Sequence, residues 1–233
     1  AAITTRVAPS FLRVGQIELF ARRVRNNAHD EAFNELKMIV QHLIDRNYKN
    51  EIENEISFES KVIKLASLYR SRLISLIANW MRVGYCQGNF NSDNCAAGGY
   101  TLDYGPFGFC ELFDPRFQPW TGGGEHFSFF NQPSAAEINF KTFCSSLSPL
   151  LSESKHDFEK LEQIEKDFSE LMNKELMKMW ANKLGLEHYN ETLINEFFNL
   201  MVISKADYTI LFRKLSEIPD NLDSLKDSFY LPI

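Results

Sequence analysis

The sequence predicts a mostly α-helical fold that contains one small β insert. Long segments on both sides of the middle of the chain carry apolar residues at the three- and four-residue spacing of amphipathic helices. That spacing stops between residues 84 and 124, where glycine, asparagine, aspartate and aromatic residues crowd together. The chain also has 20 phenylalanines among its 233 residues, which favours a packed core over disorder.

The N-terminal half is predicted to begin as an extended segment and to continue as helices. Residues 1–13 are expected to be extended and then turning, with Pro9 as a break. The predicted helices here are Gln16–Val24, Asp30–Tyr48 and Phe58–Val83. Gly84 is the expected stop of the third helix, because glycine readily adopts the left-handed conformation that ends helices.

The middle of the chain is predicted to form loops and short strands. Residues 84–124 lack helical periodicity, and Tyr100–Asp103 is expected to be one of the strands. A long loop rich in glycine and aromatic residues inside a compact domain usually carries function. We therefore expect the chemistry of this protein to lie there.

Helices are predicted to return after Pro133. They are Ser134–Leu147, Lys155–Leu184, Asn190–Ile203 and Ala206–Leu215. The charged stretch Glu159–Lys178 keeps an apolar stripe, which is typical of a helix on the outside of a bundle. Because no repeat or linker interrupts the pattern, residues 1–233 are expected to form a single domain, with functional loops at 84–130 and a helical bundle at 131–216.

The composition excludes several classes of protein. The net charge is −6, which argues against a general nucleic-acid binder. No run of about 18 apolar residues occurs, so no membrane span is expected. The four cysteines form no Cys-x-x-Cys pair, which favours reduced structural thiols in an intracellular compartment.

Two polar motifs in the central region have the composition of a magnesium and phosphate site. Asp93 and Asn94 follow the long helix, and Asp103-Tyr104-Gly105 comes after a short segment. Magnesium prefers oxygen ligands such as an aspartate carboxylate or an asparagine amide oxygen. A further aspartate can orient or deprotonate a hydroxyl nucleophile.

Each motif also has an ordinary structural interpretation. The polar run at 91–94 is typical of a turn with Asx hydrogen bonds, and Asp103-Tyr104-Gly105 is typical of a simple turn. The glycines at 122–124 are not followed by a Lys-Ser/Thr pair, so they do not form a P-loop and indicate a flexible turn. His126 is interpreted as a polar loop histidine.

Several longer stretches, taken together, make the chain resemble the selenoprotein O family of protein adenylyltransferases. The stretches that carry the resemblance are Arg6–Gly15, Asn91–Asn94, Thr101–Phe109, Asn131–Pro133, Ala206–Thr209 and Phe212–Arg213. The resemblance extends from about Ile3 to Ser216, and the string Asp-Tyr-Gly-Pro-Phe-Gly-Phe is its most specific part.

The resemblance implies the C-terminal lobe of a protein-kinase-like fold with an altered activity. Members transfer AMP from ATP to serine, threonine or tyrosine hydroxyls of proteins, with Mg²⁺ or Mn²⁺ as the cofactor. By motif, Asp93 matches the family's catalytic base, while Asn94 and Asp103 match its metal ligands. Arg6 and Arg13 match two arginines at the nucleotide phosphates, within a nucleotide-contacting segment at residues 1–15, and Asp103 belongs to the same nucleotide site.

The sequence also departs from the family pattern. Many members have histidine at the position of Gln87 and methionine at the position of Cys95. Asp93 and Asn94 are adjacent, whereas ordinary kinases separate the matching residues, so the catalytic geometry must differ. Without the resemblance, Arg6 and Arg13 would be interpreted as surface salt-bridge partners.

The resemblance further implies that the chain is a fragment. The glycine-rich loop, strand lysine and partner glutamate of the N-terminal lobe are expected to come from a preceding segment or another chain. We therefore expect this chain alone to be inactive. The implied partners are ATP and hydroxyl-bearing protein substrates, without nucleic acid or membrane. The implied location is the cytoplasm in a bacterium or the mitochondrion in a eukaryote.

Two other functions remain open at this point. A lone helical lobe could be a non-catalytic module that binds a nucleotide or a partner. Ordinary kinase phosphotransfer is the third hypothesis, and the Asp93-Asn94 adjacency counts against it. The position of the label transferred from ATP separates adenylyl transfer from phosphotransfer.

Overall fold

The computed structural model describes residue 3 and residues 5–102, 105–120, 122 and 124–230. Its α-helices are α1 (Val14–Arg25), α2 (Ala32–Leu43), α3 (Lys49–Ile52), α4 (Phe58–Val83), α5 (Gln132–Leu147), α6 (Lys155–Lys166), α7 (Phe168–Lys183), α8 (Glu191–Ile203) and α9 (Tyr208–Ser216). One π-helical turn at Ile44–Tyr48 joins α2 to α3. The predicted mostly helical fold with a small β insert is confirmed. No helix in the described ranges is long and apolar enough to cross a membrane.

The β insert consists of two short antiparallel strands, β1 (Tyr85–Gln87) and β2 (Phe107–Phe109). The predicted strand at Tyr100–Asp103 is wrong for its described residues, 100–102, which join no ladder. The physical reason is that the backbone carbonyl of Thr101 bonds to a side chain, and the Tyr100 side chain bonds to another loop segment. The Thr101 carbonyl accepts a hydrogen bond from Arg6, and the Tyr100 hydroxyl donates to the carbonyl of Ser10.

The chain divides into two compact units. The first comprises Ala1–Leu73, Asn91–Leu102 and Glu137–Phe168, and the second comprises Ile74–Phe90, Asp103–Ala136 and Ser169–Ile233. The single domain expected over residues 1–233 stays a prediction.

The first unit has an apolar core built by α1, α2 and the N-terminal part of α4. Ile17, Leu36 and Val40 are fully buried in it. An aromatic group extends this core, because the ring of Tyr69 lies 4.4 Å from that of Phe143. The core gives the N-terminal end of α1 a rigid support.

The segment Lys155–Leu184, predicted as one helix, is two helices that separate at Asp167. The reason is a side chain of the first unit. Arg70 Nη1 donates to the carbonyl of Ile164 at 3.0 Å and lies 3.6 Å from the Asp167 carboxylate. This guanidinium therefore binds the C-terminal end of α6, where the helix carbonyls lack backbone donors.

The second unit is organised around the buried Tyr208. Its hydroxyl donates to the carbonyl of Met81 at 2.6 Å. Gly84 ends α4 as predicted, with a φ of +76°, and a β-carbon there would lie 2.9 Å from the Tyr208 ring. Asp207 caps α9 by accepting from Ile210 N at 2.8 Å, which explains why this helix begins at Tyr208 and not at the predicted Ala206.

Candidate active site

The predicted catalytic residues lie on a tight turn in the first unit. Residues Ser92–Asn94 form one 3₁₀ turn, which Asn91 holds at its start. Asn91 Oδ1 accepts from Asp93 N at 3.0 Å, and the Asn91 carbonyl accepts from Asn94 N at 3.0 Å. The Asx hydrogen bond expected of this run is present, and it fixes the backbone from which Asp93 and Asn94 project.

The Asp93 carboxylate lies against the first turn of α1. A β-carbon at Gly15 would be 3.2 Å from both Asp93 Cγ and Ser92 Oγ, and still closer to Asp93 Oδ1. Glycine is therefore required at position 15 for this approach. The N-terminal turn of a helix carries unpaired N–H groups and a partial positive charge, which stabilise a carboxylate there.

Backbone pairing connects the α1 N-terminus to the segment that follows the turn. Arg13 and Ala96 form an antiparallel bridge, and Val14 N donates to the Cys95 carbonyl at 2.9 Å. Because this bridge comes two residues after Asn94, it holds Arg13 beside the Ser92–Asn94 turn. The structure thus brings Arg13, Asp93 and Asn94 together in one unit.

Arg13 has a partly unused guanidinium. Its backbone N–H donates to Gln16 Oε1 at 3.0 Å, which fixes the start of α1. Its Nε is buried without a hydrogen-bond partner, and within the described residues Arg13 forms no ion pair. The salt-bridge interpretation of Arg13 therefore finds no partner among the described residues.

Arg6 lies in the non-helical segment that precedes α1. Its side chain is exposed, and Nη2 donates to the Thr101 carbonyl at 2.9 Å. Thr101 precedes Asp103 by two positions in the sequence. Asp103, the predicted metal and nucleotide ligand, lies outside the described residues, as does Tyr104.

The residues that follow the turn are buried and unreactive. The Cys95 thiol lies 3.1 Å from the Tyr69 hydroxyl. Burial raises the pKa of Cys95 to about 12, so the thiol stays protonated near neutral pH and is not a nucleophile. Tyr48 adds a second anchor, because its hydroxyl donates to the Ala97 carbonyl at 2.8 Å.

The residues present suit a metal ion that the protein holds through few ligands. Among the described residues, no cluster of three or more histidine, cysteine, aspartate or glutamate side chains could hold a metal. Magnesium often binds through one or two protein oxygens and completes its shell with water and phosphate. An Asn94 amide oxygen with one further carboxylate fits that pattern.

Gly15 was not predicted from the sequence to have a role in the site. It stands within the stretch Arg6–Gly15 that carries the resemblance, yet glycine is a poor residue for the first turn of a helix. That mismatch is the signal that could have indicated a close approach. The loop around His126 matches its ordinary interpretation, since His126 is exposed and Gly124 has a φ of +61°.

Comparison with known proteins gives a consistent family assignment. Residues 1–229 match the family described as protein adenylyltransferase SelO. A protein nucleotidyltransferase YdiU of Aromatoleum aromaticum is 34% identical over 98% of this chain. The protein of the same name in Brevibacillus brevis is 35% identical over 92% of it. A mitochondrial protein adenylyltransferase SelO-1 of Danio rerio is 32% identical over 93%.

The chain is much shorter than these relatives. It spans 43% of the length of the two bacterial proteins and 32% of the Danio rerio protein. The match nevertheless extends over almost the whole of this chain, including the Ser92–Asn94 turn, the start of α1 and the sheet. The chain belongs to the SelO family.

Proposed function

We propose that this chain supplies the C-terminal lobe of a protein-kinase-like adenylyltransferase that transfers AMP from ATP to hydroxyl side chains of proteins. The observation that carries the proposal is the placement of the Asp93 carboxylate against Gly15, beside Arg13. Asp93 is exposed and has no cationic partner among the described residues. A carboxylate that is held in place but not neutralised suits the role of a base.

In the proposed reaction, the oxygen of the acceptor hydroxyl attacks the α-phosphorus of ATP. The bond from the α-phosphorus to the bridging oxygen breaks, and pyrophosphate leaves. Asp93 orients the hydroxyl and accepts its proton. The Asx turn at Asn91 supports this role, because it holds the backbone of Asp93 before the substrate arrives.

The two arginines would bind phosphate oxygens. The place of Arg13 at the start of α1, paired with Ala96 just after the Ser92–Asn94 turn, supports this role, since a guanidinium forms parallel hydrogen bonds to phosphate. Arg6 Nη2 donates to the Thr101 carbonyl, which holds the guanidinium close to the segment that precedes Asp103 in the sequence. Preorganised positive charge at the phosphates would supply much of the rate enhancement.

Asn94 and Asp103 would hold Mg²⁺ or Mn²⁺. The ion would supply positive charge to the phosphate oxygens of bound ATP.

The exposure of the turn also supports the need for a second lobe. A groove of about 480 Å³ between α4 and α6 contains none of the proposed site residues. An N-terminal lobe, in cis or as a separate chain, would cover the nucleotide. The proposed location is intracellular, as cytoplasm or mitochondrion.

The test uses this chain joined to an N-terminal lobe. The protein is incubated with Mg²⁺, an acceptor protein and ATP labelled at either the α- or the γ-phosphate. We expect label only from α-labelled ATP, and at least a hundredfold loss of transfer in the Asp93→Asn variant. Asp220→Asn, the same change at an exposed aspartate that is not among the proposed site residues, is the matched control and should retain full transfer.

The outcomes separate the three candidate functions. Label only from γ-labelled ATP would establish phosphotransfer and overturn the proposal. No label from either position, with a folded protein that binds ATP, would favour a non-catalytic nucleotide-binding module. Transfer that is equal in Asp93→Asn and the unaltered protein would remove Asp93 from the catalytic role.

A further inference from the structure

The outer edge of β2 carries unpaired backbone groups. In this sheet Gly88 N donates to the Pro106 carbonyl at 2.9 Å, and Cys110 N donates to the Gly84 carbonyl at 2.7 Å. Hydrogen-bonded pairs alternate with non-bonded pairs in an antiparallel ladder, so the Gly108 position bonds to β1. The backbone N–H and C=O groups of Phe107 and Phe109 therefore point away from β1.

Nothing in the described part of the chain pairs with these groups. Within the described ranges, neither Phe107 nor Phe109 forms a backbone hydrogen bond on the outer side of β2. The edge thus presents, in order, the donor and acceptor of Phe107 and the donor and acceptor of Phe109. Another extended backbone is the chemical group that complements such an array.

The opposite edge of the same sheet is closed by a side chain. Gln132 Oε1 accepts from Gln87 N at 2.9 Å, and Gln132 Nε2 donates to the Tyr85 carbonyl at 2.9 Å. The buried amide of Gln132 thereby copies one residue of a neighbouring strand. Within the described sheet, the Gln132 amide blocks strand pairing on the outer side of β1 and leaves β2 as the open edge.

The side chains beside the open edge are suited to a peptide. Phe107 is 45% exposed and Phe109 is 58% exposed, and both rings lie 5.6 Å from the ring of Tyr85 on one face of the sheet. The other face is covered, since a β-carbon at Gly108 would lie 3.2 Å from Phe117. An incoming strand would therefore find an aromatic surface on one face only.

We propose that β2 receives an extended segment of the protein that accepts AMP, by addition of a third strand to the sheet. This inference rests on the proposed function. The two strands are close in sequence to the proposed site residues, because β2 begins four residues after Asp103 and β1 ends shortly before Asn91. The segment would carry apolar residues at every second position, facing Phe107 and Phe109, and no proline at the pairing positions.

The first experiment measures binding without any transfer. The protein is mixed with the synthetic peptide Lys-Val-Thr-Val-Thr-Val-Lys, and amide hydrogen exchange is followed by NMR. In the free protein, the amides of Phe107 and Phe109 should exchange fast and that of Gly108 slowly. The peptide should slow exchange at Phe107 and Phe109 at least tenfold. A copy of the peptide N-methylated at alternate residues along its pairing edge should have no effect.

The second experiment alters the edge while leaving the two-stranded sheet intact. Phe109→Pro removes an outward N–H, which an edge strand tolerates, and retains the Cys110 bond to Gly84. Phe109→Ala is the matched control, because it removes the same ring and keeps the N–H. We expect at least tenfold weaker peptide binding in Phe109→Pro than in Phe109→Ala, with the same melting temperature within two degrees or so.

The outcomes distinguish this inference from the proposed function. Peptide protection that is lost in Phe109→Pro supports strand addition even if no AMP transfer occurs. Equal peptide binding by the proline and alanine variants would overturn it even if transfer is active. Protection of Phe109 that rises with protein concentration in the absence of peptide would indicate a second copy of this chain at the edge, and would also overturn it.

Discussion

Asp93 places its carboxylate where a side chain at Gly15 would have to be. The two residues are far apart in the sequence and meet because the Arg13–Ala96 bridge aligns the start of α1 with the Ser92–Asn94 turn. The position of the proposed base thus depends on the absence of one β-carbon.

Gly15→Ala should reduce AMP transfer while barely changing stability. The added methyl group would displace the Asp93 carboxylate, and we expect transfer to fall at least tenfold because small displacements of a catalytic group cost about that much or more. Alanine is favoured over glycine in a helix by about 1 kcal/mol, which offsets the local strain. Radiolabel transfer and urea unfolding of the same variant measure both effects.

Two outcomes would argue against this interpretation. Full transfer by Gly15→Ala would mean that the contact does not position Asp93. A loss of transfer accompanied by a loss of several kcal/mol in unfolding free energy would point to a structural role for Gly15.

Gln132→Met should destabilise the protein although it keeps the volume of the side chain. The change removes the two hydrogen bonds that the Gln132 amide forms with the buried Gln87 N and Tyr85 carbonyl. Each such group costs about 1–3 kcal/mol, so we expect a loss of about 2–4 kcal/mol in the free energy of unfolding. Urea denaturation measures it.

The matched control is Gln163→Met on the exposed face of α6. That side chain bonds only to the Asp167 carboxylate at the surface, so the change should stay within about 0.5 kcal/mol. Similar losses in the two variants would show that Gln132 does not close the edge of β1.

Lys183 should make stability depend on pH. Its ammonium lies 3.8 Å from the Phe212 ring centre, and burial, followed by the charge of Arg82, lowers its pKa to about 8. An unfolded lysine keeps its proton up to a pKa of about 10.4. Between these values the unfolded state binds more protons, so the contribution of Lys183 to stability rises as the pH increases.

The melting temperature of Lys183→Met, measured from pH 7 to pH 10, should lack this rise relative to the unaltered protein. Lys178→Met, on the exposed face of the same helix, should keep it. Parallel profiles for all three proteins would contradict the pKa assigned to Lys183.

The four cysteines should resist alkylation in the folded protein. All are buried as free thiols, and burial raises the pKa of Cys86 and Cys95 to about 12 and that of Cys110 to about 11. We expect no labelling by iodoacetamide at pH 8, and four labels after denaturation, by mass spectrometry. Rapid labelling of any one thiol in the folded protein would contradict this prediction.

Sequence reasoning predicted the elements that depend on local pattern. Phe58–Val83 was predicted with the observed bounds, because its apolar spacing is regular and Gly84 ends it by conformation. The mostly helical fold, the central β insert and the family are confirmed. Asp93 and Asn94 were found as a motif, and their roles stay predictions.

Features that depend on distant contacts could not be read from the sequence. The separation of α6 from α7 is fixed by Arg70, which lies about 100 positions earlier. The strands β1 and β2 are too short for a periodic signal, so they were not located, and the strand predicted at Tyr100–Asp103 is wrong for the described residues 100–102. The contact between Gly15 and Asp93 likewise arises only when two segments meet.

Closure of β1 by Gln132 has a consequence for assembly. A sheet with two open edges can gain strands in both directions and grow into a fibre. With the β1 edge occupied by the Gln132 amide, two copies of the chain that paired through β2 would form a closed dimer, because neither sheet would have a second edge to extend. Gln132 would thus limit self-association of this sheet to a dimer.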